Sequence, residues 1–565
     1  MFVKRTVRRR GDKVYEYLSL VEAVRVNGKN THTTLLRLGE VSELRESGQL
    51  ERIMRALSHY AEDDWLHPSD LGGGSAPSYG GVAAVYSYFF RLGLAEHFAR
   101  VGKARGSKHL ADTVFTLLAN RLLEPYSKRR TVTEWLKTVS LPEGVEAPKL
   151  GRCYRALDAL TDSKEETESE LYHAICDLTN LDLRLVCYDV TSTYFETHRA
   201  AFPSLAFGHS RDHRADRPQV VVGLLVTSDG IPIAHHVFSG NTSDVTTLPG
   251  VMDDLRSRFS VGRIALVADR GLISEENLAE VAAHGFDHVM ATRLHNDSDV
   301  RAVLEQAVSP TASWVPVTEA NTFATEVAHG GARYVVCFSP ARYLRDMVRH
   351  DQLISRTEDA LIALSTRVRR GRLSDKGSIA AAADRILRDS GVSRCFRVRA
   401  EEGLFHWDYD EKARRYDEEL LCGRYVISTS LGPAEASTEK VVSYYRSLWR
   451  IERRFRVMKD FISLRPVYLW TEEHVRGHIA LCVIATTIEA LIGKDLADAG
   501  VMDPNLTHQH LSPRRALSEL QEIRRQLITA GMRTVDLVSR RSSFQQKMLR
   551  ALHVDTSSWD KATIA

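Results

Sequence analysis

The sequence has few cysteines and none of the spacings that bind a structural metal. Its seven cysteines among 565 residues are scattered, odd in number, and include no C-x-x-C pair and no Cys/His pair at ligand spacing. We therefore expect reduced, mostly buried thiols in a cytosolic protein, without structural zinc.

The sequence also shows no pattern typical of a membrane-spanning segment, a signal peptide or a nucleotide-binding P-loop. The longest apolar stretch, 479–492, is too short to span a membrane and is interrupted by Glu489. No apolar segment follows the basic start at Lys4 and Arg5, so no signal peptide is expected. No G-x-x-x-x-G-K-S/T sequence occurs, which argues against a P-loop.

The chain has almost no excess of charge, so any surface for nucleic acid must be local. Lys and Arg number 76 against 73 Asp and Glu, a net charge of +3. Residues 1–60 hold twelve basic and seven acidic side chains, a surplus of five. This excess fits either a nucleic-acid contact or a solvated basic arm, and the sequence leaves both open.

The length indicates several domains, because a chain of 565 residues rarely folds around a single hydrophobic core. Strand-like alternation around an Asn27–Gly28 turn predicts a basic β-hairpin and helix unit over 1–70. A Gly-rich linker is predicted at 72–77. Residues 78–180 read as a run of helices, either a DNA-binding or docking domain or plain structural support, and 496–565 as a C-terminal helical tail.

An α/β pattern begins near residue 183. Two apolar strands, predicted over 183–189 and 263–269, each end on an acid, Asp189 or Asp269. The predicted order of three strands, helix, strand, helix and strand indicates a mixed sheet with helices on its faces.

This α/β core is predicted to consist of two separated segments, 181–295 and 431–495. The residues between them, 296–430, mix strand-like and charged helical pieces. Such a stretch is too long for a loop and predicts an inserted, β-rich subdomain.

A helix predicted over 445–459 carries six basic residues and one acid, Glu452. At about 100° per residue, Tyr445, Glu452, Arg456 and Lys459 fall on one face beside an apolar stripe. The helix is either an ordinary amphipathic surface helix or one that frames a carboxylate with cations.

Three carboxylates, Asp189, Asp269 and Glu452, could together form an oxygen-rich metal site. Each acid alone is more simply explained as a solvated or helix-capping group. If they converge, they suit Mg²⁺ or Mn²⁺, and two such ions promote in-line phosphoryl displacement.

A family signature surrounds the last acid: Tyr, two residues, Arg, three residues, Glu, six residues, Lys. Tyr445, Glu452 and Lys459 fit it, whereas Leu448 stands at the Arg position. Together with the segments around Asp189 (188–193) and Asp269 (267–271), the sequence resembles the DDE transposases of bacterial insertion sequences. Two further segments, 208–214 and 240–244, also look like landmarks of this family, without a role that the sequence reveals.

The resemblance implies a ribonuclease H-like core with Mg²⁺ or Mn²⁺, in two ions, at Asp189, Asp269 and Glu452. It also implies cut-and-paste DNA transposition by cleavage at terminal inverted repeats and strand transfer into target DNA. A homodimer in the synaptic complex and a bacterial, cytoplasmic location at the nucleoid, without membrane, are expected.

In the family the signature Tyr, Arg and Lys bind DNA phosphate, a role that Tyr445 and Lys459 inherit by position. Because Leu448 cannot supply the Arg contact, we predict that Arg456, about 40° around the helix from Glu452, replaces it. Two alternatives remain open: a metal nuclease on the same fold, and a catalytically silent DNA-binding protein derived from a transposase.

Overall fold

The computed structural model describes residues 1–565 except 12, 27–28, 59, 61–70, 74, 180–183, 198, 260–263, 273, 293–297, 318–320, 466, 531–532, 560–562 and 565. The predicted Asn27–Gly28 turn lies outside the described residues. The chain divides into two compact units. Unit 1 comprises Met1–Pro77, Arg524–Arg540 and Thr556–Ala565, and unit 2 comprises Ser78–Ile523 and Arg541–Asp555.

Unit 1 begins with a three-stranded antiparallel sheet in the order β1-β2-β3. Its first elements are β1 (Phe2–Arg10), β2 (Lys13–Val26), β3 (Lys29–Glu40), α1 (Val41–Glu46), α2 (Gln49–Ser58) and β4 (Leu71–Gly73). The strand β4 includes two glycines that were predicted to be a flexible linker. That prediction is wrong there, because Leu71–Gly73 pairs with 528–530, far away in sequence.

Unit 2 begins with six helices: α3 (Gly80–Arg91), α4 (Leu94–Ala104), α5 (Leu110–Leu123), α6 (Lys128–Thr133), α7 (Leu150–Asp162) and α8 (Lys164–Thr179). The run of helices predicted over 78–180 is present here. α3 and α4 are separated at Gly93, whose φ of 67° lies in the left-handed region that glycine adopts without strain.

The predicted order of strands and helices is confirmed in the next segment. It contains β5 (Leu185–Tyr194), β6 (Gln219–Thr227), β7 (Pro232–Ser239), α9 (Leu248–Arg258), β8 (Ala265–Ala268), α10 (Glu275–Ala283) and β9 (Asp287–Ala291). β5 is parallel to β8 and antiparallel to β6, and β8 is parallel to β9. The result is a mixed sheet flanked by helices.

The segment predicted to be an insertion adds strands to this sheet. It contains α11 (Ser298–Ala307), β10 (Val315–Val317), β11 (Thr322–His329), β12 (Ala332–Phe338), α12 (Pro340–Arg369), α13 (Lys376–Ser390), β13 (Phe396–Glu401), β14 (Leu404–Tyr409), α14 (Glu411–Leu421) and β15 (Arg424–Thr429). The nine strands follow the order β10-β11-β12-β15-β9-β8-β5-β6-β7. β13 and β14 form a separate hairpin, which packs with α12 and α13 around a core of their own.

The remaining elements are α15 (Thr438–Arg446), α16 (Leu448–Arg456), a π-helical turn (Val457–Phe461), α17 (Glu472–Asp498), α18 (Pro513–Leu520), β16 (Arg525–Ala530), β17 (Arg533–Val538), α19 (Ser543–Ala551) and β18 (Thr563–Ile564). The prediction of an all-helical tail is wrong for residues 525–538, because β16 and β17 pair with each other and with β4 and β18 in a four-stranded sheet.

The single helix predicted over 445–459 is also wrong. Ser447 separates α15 from α16: its amide donates to two carbonyls, Ser443 O and Tyr444 O, and its hydroxyl donates to Tyr444 O. Beyond Arg456 the chain widens into the π-helical turn, whose longer repeat shifts the side chains out of α-helical register. Tyr445, Glu452 and Lys459 therefore do not share one continuous helical face.

α17 is the central helix of unit 2. It is long and apolar enough to cross a membrane, but 94% of its most apolar window is buried inside the structure. A Cβ added at Gly477 would lie 2.0 Å from Leu157 O, so glycine permits the close approach of α17 to α7. The burial identifies α17 as a core helix.

Candidate active site

Two of the predicted acids lie on neighbouring strands. The parallel strands β5 and β8 pair Tyr188 with Ala268. Asp189 and Asp269 are the next residues of the chain, so both occupy the same end of the paired region, where open α/β sheets place functional groups. The Asp269 charge acts on the Asp189 carboxyl, so the structure brings these two acids together.

The Asp189 carboxyl lies in a buried and electronegative environment. Its pKa is raised from 3.8 to about 7, mainly by burial and to a smaller extent by the neighbouring carboxylates of Asp269 and Asp244. Two contacts oppose this shift: the Val190 amide, which donates to Asp189 Oδ1 at 2.7 Å, and the charge of Arg211. The environment therefore disfavours ionised Asp189 and would favour a cation beside it.

Asp244 and Arg211 belong to this site although the sequence showed no role for them. The Arg211 guanidinium donates to the Asp244 carboxylate, and the Arg211 amide donates to Ser192 Oγ at 3.0 Å. Asp244 also lies close to the turn after Asp269, because a Cβ added at Gly271 would be 3.5 Å from Asp244 Oδ2. The only signal was that both residues fall in the two segments, 208–214 and 240–244, that resemble family landmarks.

Tyr445, the last but one residue of α15, contacts the second acid directly. Its hydroxyl donates to Asp269 Oδ1 at 3.4 Å, and its ring lies 5.8 Å from the ring of Tyr425. Burial and then the Asp269 charge raise the pKa of the Tyr445 hydroxyl, so the phenol remains a donor. The structure thus places the signature tyrosine at the carboxylates.

Glu452 lies on the helix that covers the same face of the sheet. Cys187, two residues before Asp189 and therefore on the same side of β5, lies 3.1 Å from Ser447 Oγ at the start of α16. Glu452 itself is exposed, and within the described part of the chain it has no hydrogen bond or ion pair. The structure therefore joins Asp189 and Asp269 but shows no contact of Glu452 with them.

Lys459 makes an internal ion pair. Its Nζ lies 2.8 Å from Asp212 Oδ1, and Arg465 approaches the same oxygen to 2.5 Å. The side chains of Lys459 and Asp212 are only 9% and 4% exposed. Burial lowers the pKa of the Lys459 ammonium, an effect that the Asp212 contact opposes. Asp212 thus has a structural role that the sequence did not reveal.

Leu448, which stands at the Arg position of the signature, and the arginines near it lie in different environments. Leu448 is 9% exposed and contributes to the core. Arg450 lies 3.9 Å from Asp229 in the turn between β6 and β7. Arg456 is exposed and has no hydrogen bond or ion pair in the described structure. Within the described structure, Arg456 therefore has a free guanidinium on the surface, as does its neighbour Arg453.

A second acidic cluster lies in the helical region. The ligand atoms of His97, Glu166 and Glu170 lie within 4.8 Å of one another, and no other such group of three occurs among the described residues. However, the Arg100 guanidinium donates to all three side chains, at 3.3 Å, 3.3 Å and 2.7 Å respectively. The Arg100 guanidinium therefore already occupies the position that a cation would take in this cluster, so we do not assign a metal site to it.

Comparison with known families identifies the protein class. Residues 181–488, more than half of the chain, match the family model for the transposase DDE domain. The chain belongs to the DDE transposase family. Residues 3–68 of the transposase match the IS1634 family transposase N-terminal domain, so it is the transposase of an insertion sequence. No curated protein matches it.

These matches confirm the family and fold class predicted from the sequence. The mixed sheet with flanking helices is the ribonuclease H-like core of the transposase, and the matched range contains Asp189, Asp269 and Glu452. Membership of the family implies that the transposase acts on DNA.

Proposed function

We propose that the transposase cleaves DNA at the terminal inverted repeats of its insertion sequence and transfers the freed strands into target DNA. The observation that supports this most directly is the pair Asp189 and Asp269 on adjacent parallel strands, with Tyr445 against Asp269. A partly buried carboxylate, Asp189, beside the exposed carboxylate of Asp269 and the neutral Tyr445 donor suits phosphoryl transfer on a DNA strand.

Asp189 and Asp269 fit a divalent metal. Their oxygens are the ligands that Mg²⁺ and Mn²⁺ prefer, and a cation would offset the burial and the carboxylate repulsion that together raise the pKa of Asp189. Glu452, on the helix over the same face, is the proposed third ligand for two ions. Such ions, when bound, activate a water or 3′-hydroxyl and stabilise the leaving oxygen.

The side chains around the acids are proposed to hold DNA phosphate. Tyr445 is positioned by Asp269 and keeps its proton. Arg456 offers an exposed guanidinium. Lys459 would exchange its contact with Asp212 for a phosphate, and Arg465 would remain to balance the Asp212 charge.

The partners follow from this chemistry. The substrates are duplex DNA at the inverted repeats and at the target, and two copies of the transposase would hold two ends in a synaptic complex. The basic unit over 1–70 and the helices over 78–180 are proposed to add DNA contacts or docking. A cytoplasmic location at the bacterial nucleoid is part of the same proposal.

The decisive experiment uses DNA that carries the ends of the element itself. We expect the purified transposase to cut this DNA at the repeats with Mg²⁺ and not with EDTA, and to join pre-cut ends to a target plasmid. Cleavage without joining would instead indicate a metal nuclease. DNA binding without cleavage would indicate a catalytically silent transposase derivative.

Arg456→Ala is expected to slow cleavage about 10- to 100-fold, because a hydrogen bond to a charged group contributes about 1.5–3 kcal/mol. Arg450→Ala is the matched control on the same helix. Since Arg450 faces Asp229, we expect the control to cut at nearly the parent rate. The assignment is wrong if Arg456→Ala cuts like the parent while Arg446→Ala or Arg450→Ala does not.

A further inference from the structure

The long helix α12 begins beside the candidate active site. The Arg342 guanidinium lies 5.6 Å from the centre of the Tyr425 ring. The Tyr425 ring in turn lies 5.8 Å from Tyr445, whose hydroxyl bonds to Asp269. A continuous set of contacts therefore connects the carboxylates to the first turn of α12.

The acidic side chains in the first half of α12 are paired with arginines. Asp346 lies 3.4 Å from Arg342 of the same helix and also accepts a hydrogen bond from the Gly423 amide at 3.0 Å. Asp351 pairs with Arg414 of α14 at 2.6 Å. These carboxylates therefore contribute little negative potential to the outer surface of the helix.

The arginines of the same half form an outward stripe. We define the arginine stripe as Arg345, Arg349 and Arg356, which with Gln352 and Arg342 recur at intervals of three and four residues and so share one face. Arg345, Arg349, Gln352 and Arg356 are exposed, and in the described structure none has a hydrogen bond or ion pair. The stripe borders a shallow surface depression of about 400 Å³.

The stripe has a defined length and a defined end. Eleven residues separate Arg345 from Arg356, which is about 16 Å along a helix, or about five base pairs of duplex. The next position on this face is the exposed Asp359. On this face the stripe is therefore bounded by an acid on the side away from the site.

We propose that the arginine stripe binds the phosphate backbone of the duplex that continues outward from the DNA end held at Asp189 and Asp269. This inference rests on the proposed function and adds a path for the DNA beyond the site. Unpaired guanidinium groups at helical spacing match a line of phosphates, which binds by charge and positions a duplex without reading its sequence.

The test is the salt dependence of binding to a duplex long enough to span the site and α12. The variant Arg345→Ala/Arg349→Ala/Arg356→Ala should reduce the slope of log affinity against log salt by about 2.7, since each phosphate contact contributes about 0.9. Between about 50 and 200 mM salt, the parent should then lose about 40-fold more affinity than the variant. All three side chains are exposed, so the thermal midpoint should not change.

The matched control removes three exposed arginines from the far end of α12 and the following turn, Arg367→Ala/Arg369→Ala/Arg372→Ala. We expect the control to keep the parent slope. A parental slope in the stripe variant, or an equal decrease in the control, overturns the proposal.

Mg²⁺-dependent cleavage of the same duplexes is measured in parallel. If the parent cleaves but the parent and the stripe variant have equal salt slopes, the proposed role of the arginine stripe is wrong and the proposed function stands. If the parent does not cleave, the proposed function fails whatever the slopes show.

Discussion

Asp189→Asn is expected to abolish cleavage and, in metal-free protein, to make the fold more stable at pH 8. Loss of about 4 kcal/mol of charge stabilisation at the reacting phosphate slows the reaction about 10³-fold. The increase in stability follows from the buried, electronegative surroundings of this carboxyl.

The sign of the stability effect follows from the two pKa values. In the unfolded chain the Asp189 carboxyl ionises near 3.8, whereas in the folded protein burial raises its pKa to about 7. The folded state therefore binds more protons between these values, and the stability of the parent falls as pH rises from about 4 to 7. Asparagine cannot ionise. The free energy of unfolding of the variant should therefore exceed that of the parent by up to about 4 kcal/mol above pH 7 and should equal it below pH 4.

Thermal unfolding at pH 4 and pH 8 in EDTA measures this difference, with the exposed Asp359→Asn as control. Added Mg²⁺ should stabilise the parent and not the Asp189 variant, because the cation binds only the native acid pair. Equal stability of parent and variant at pH 8, or retained cleavage, would show that Asp189 is not a buried ligand.

The parts of the fold and site that the sequence predicted depend on local patterns. The pattern of an apolar strand that ends on an acid identified both Asp189 and Asp269, and parallel pairing of β5 and β8 was enough to bring them together. The predicted strand end is wrong for Asp189, because β5 continues to Tyr194 by pairing with β6. Local pattern also explains the start of α10, where a serine precedes Glu275 and Glu276 as is typical of an N-cap, and Ser274 accepts the Asn277 amide.

The missed features depend on contacts between residues far apart in sequence. Asp212 lies in a loop without periodicity, and its partner Lys459 is 247 residues away. The strand β4 pairs with residues 528–530, so its two glycines do not reveal a strand by themselves. The break at Ser447 is different, because it arises from a local turn that an amphipathic pattern does not show.

Breaking the buried ion pair between α16 and α17 is expected to have the largest effect on stability. The Arg454 guanidinium donates to the Glu489 carboxylate, and the two side chains are 10% and 5% exposed. Burial raises the pKa of Glu489 and lowers that of Arg454, so desolvation opposes both charges despite their pairing. The pair therefore acts mainly to fix α16, two residues beyond Glu452, on the core helix.

Glu489→Ala is expected to lower the free energy of unfolding by about 3–5 kcal/mol, because it leaves a buried guanidinium without its partner. The double variant Arg454→Met/Glu489→Leu should recover most of this loss, since apolar side chains need no partner. Asp384→Ala, which removes one member of the exposed Arg388–Asp384 pair, is the control and should cost less than about 1 kcal/mol. Thermal midpoints of the three variants test the argument: a Glu489→Ala midpoint close to that of the control would mean that solvent already reaches Arg454.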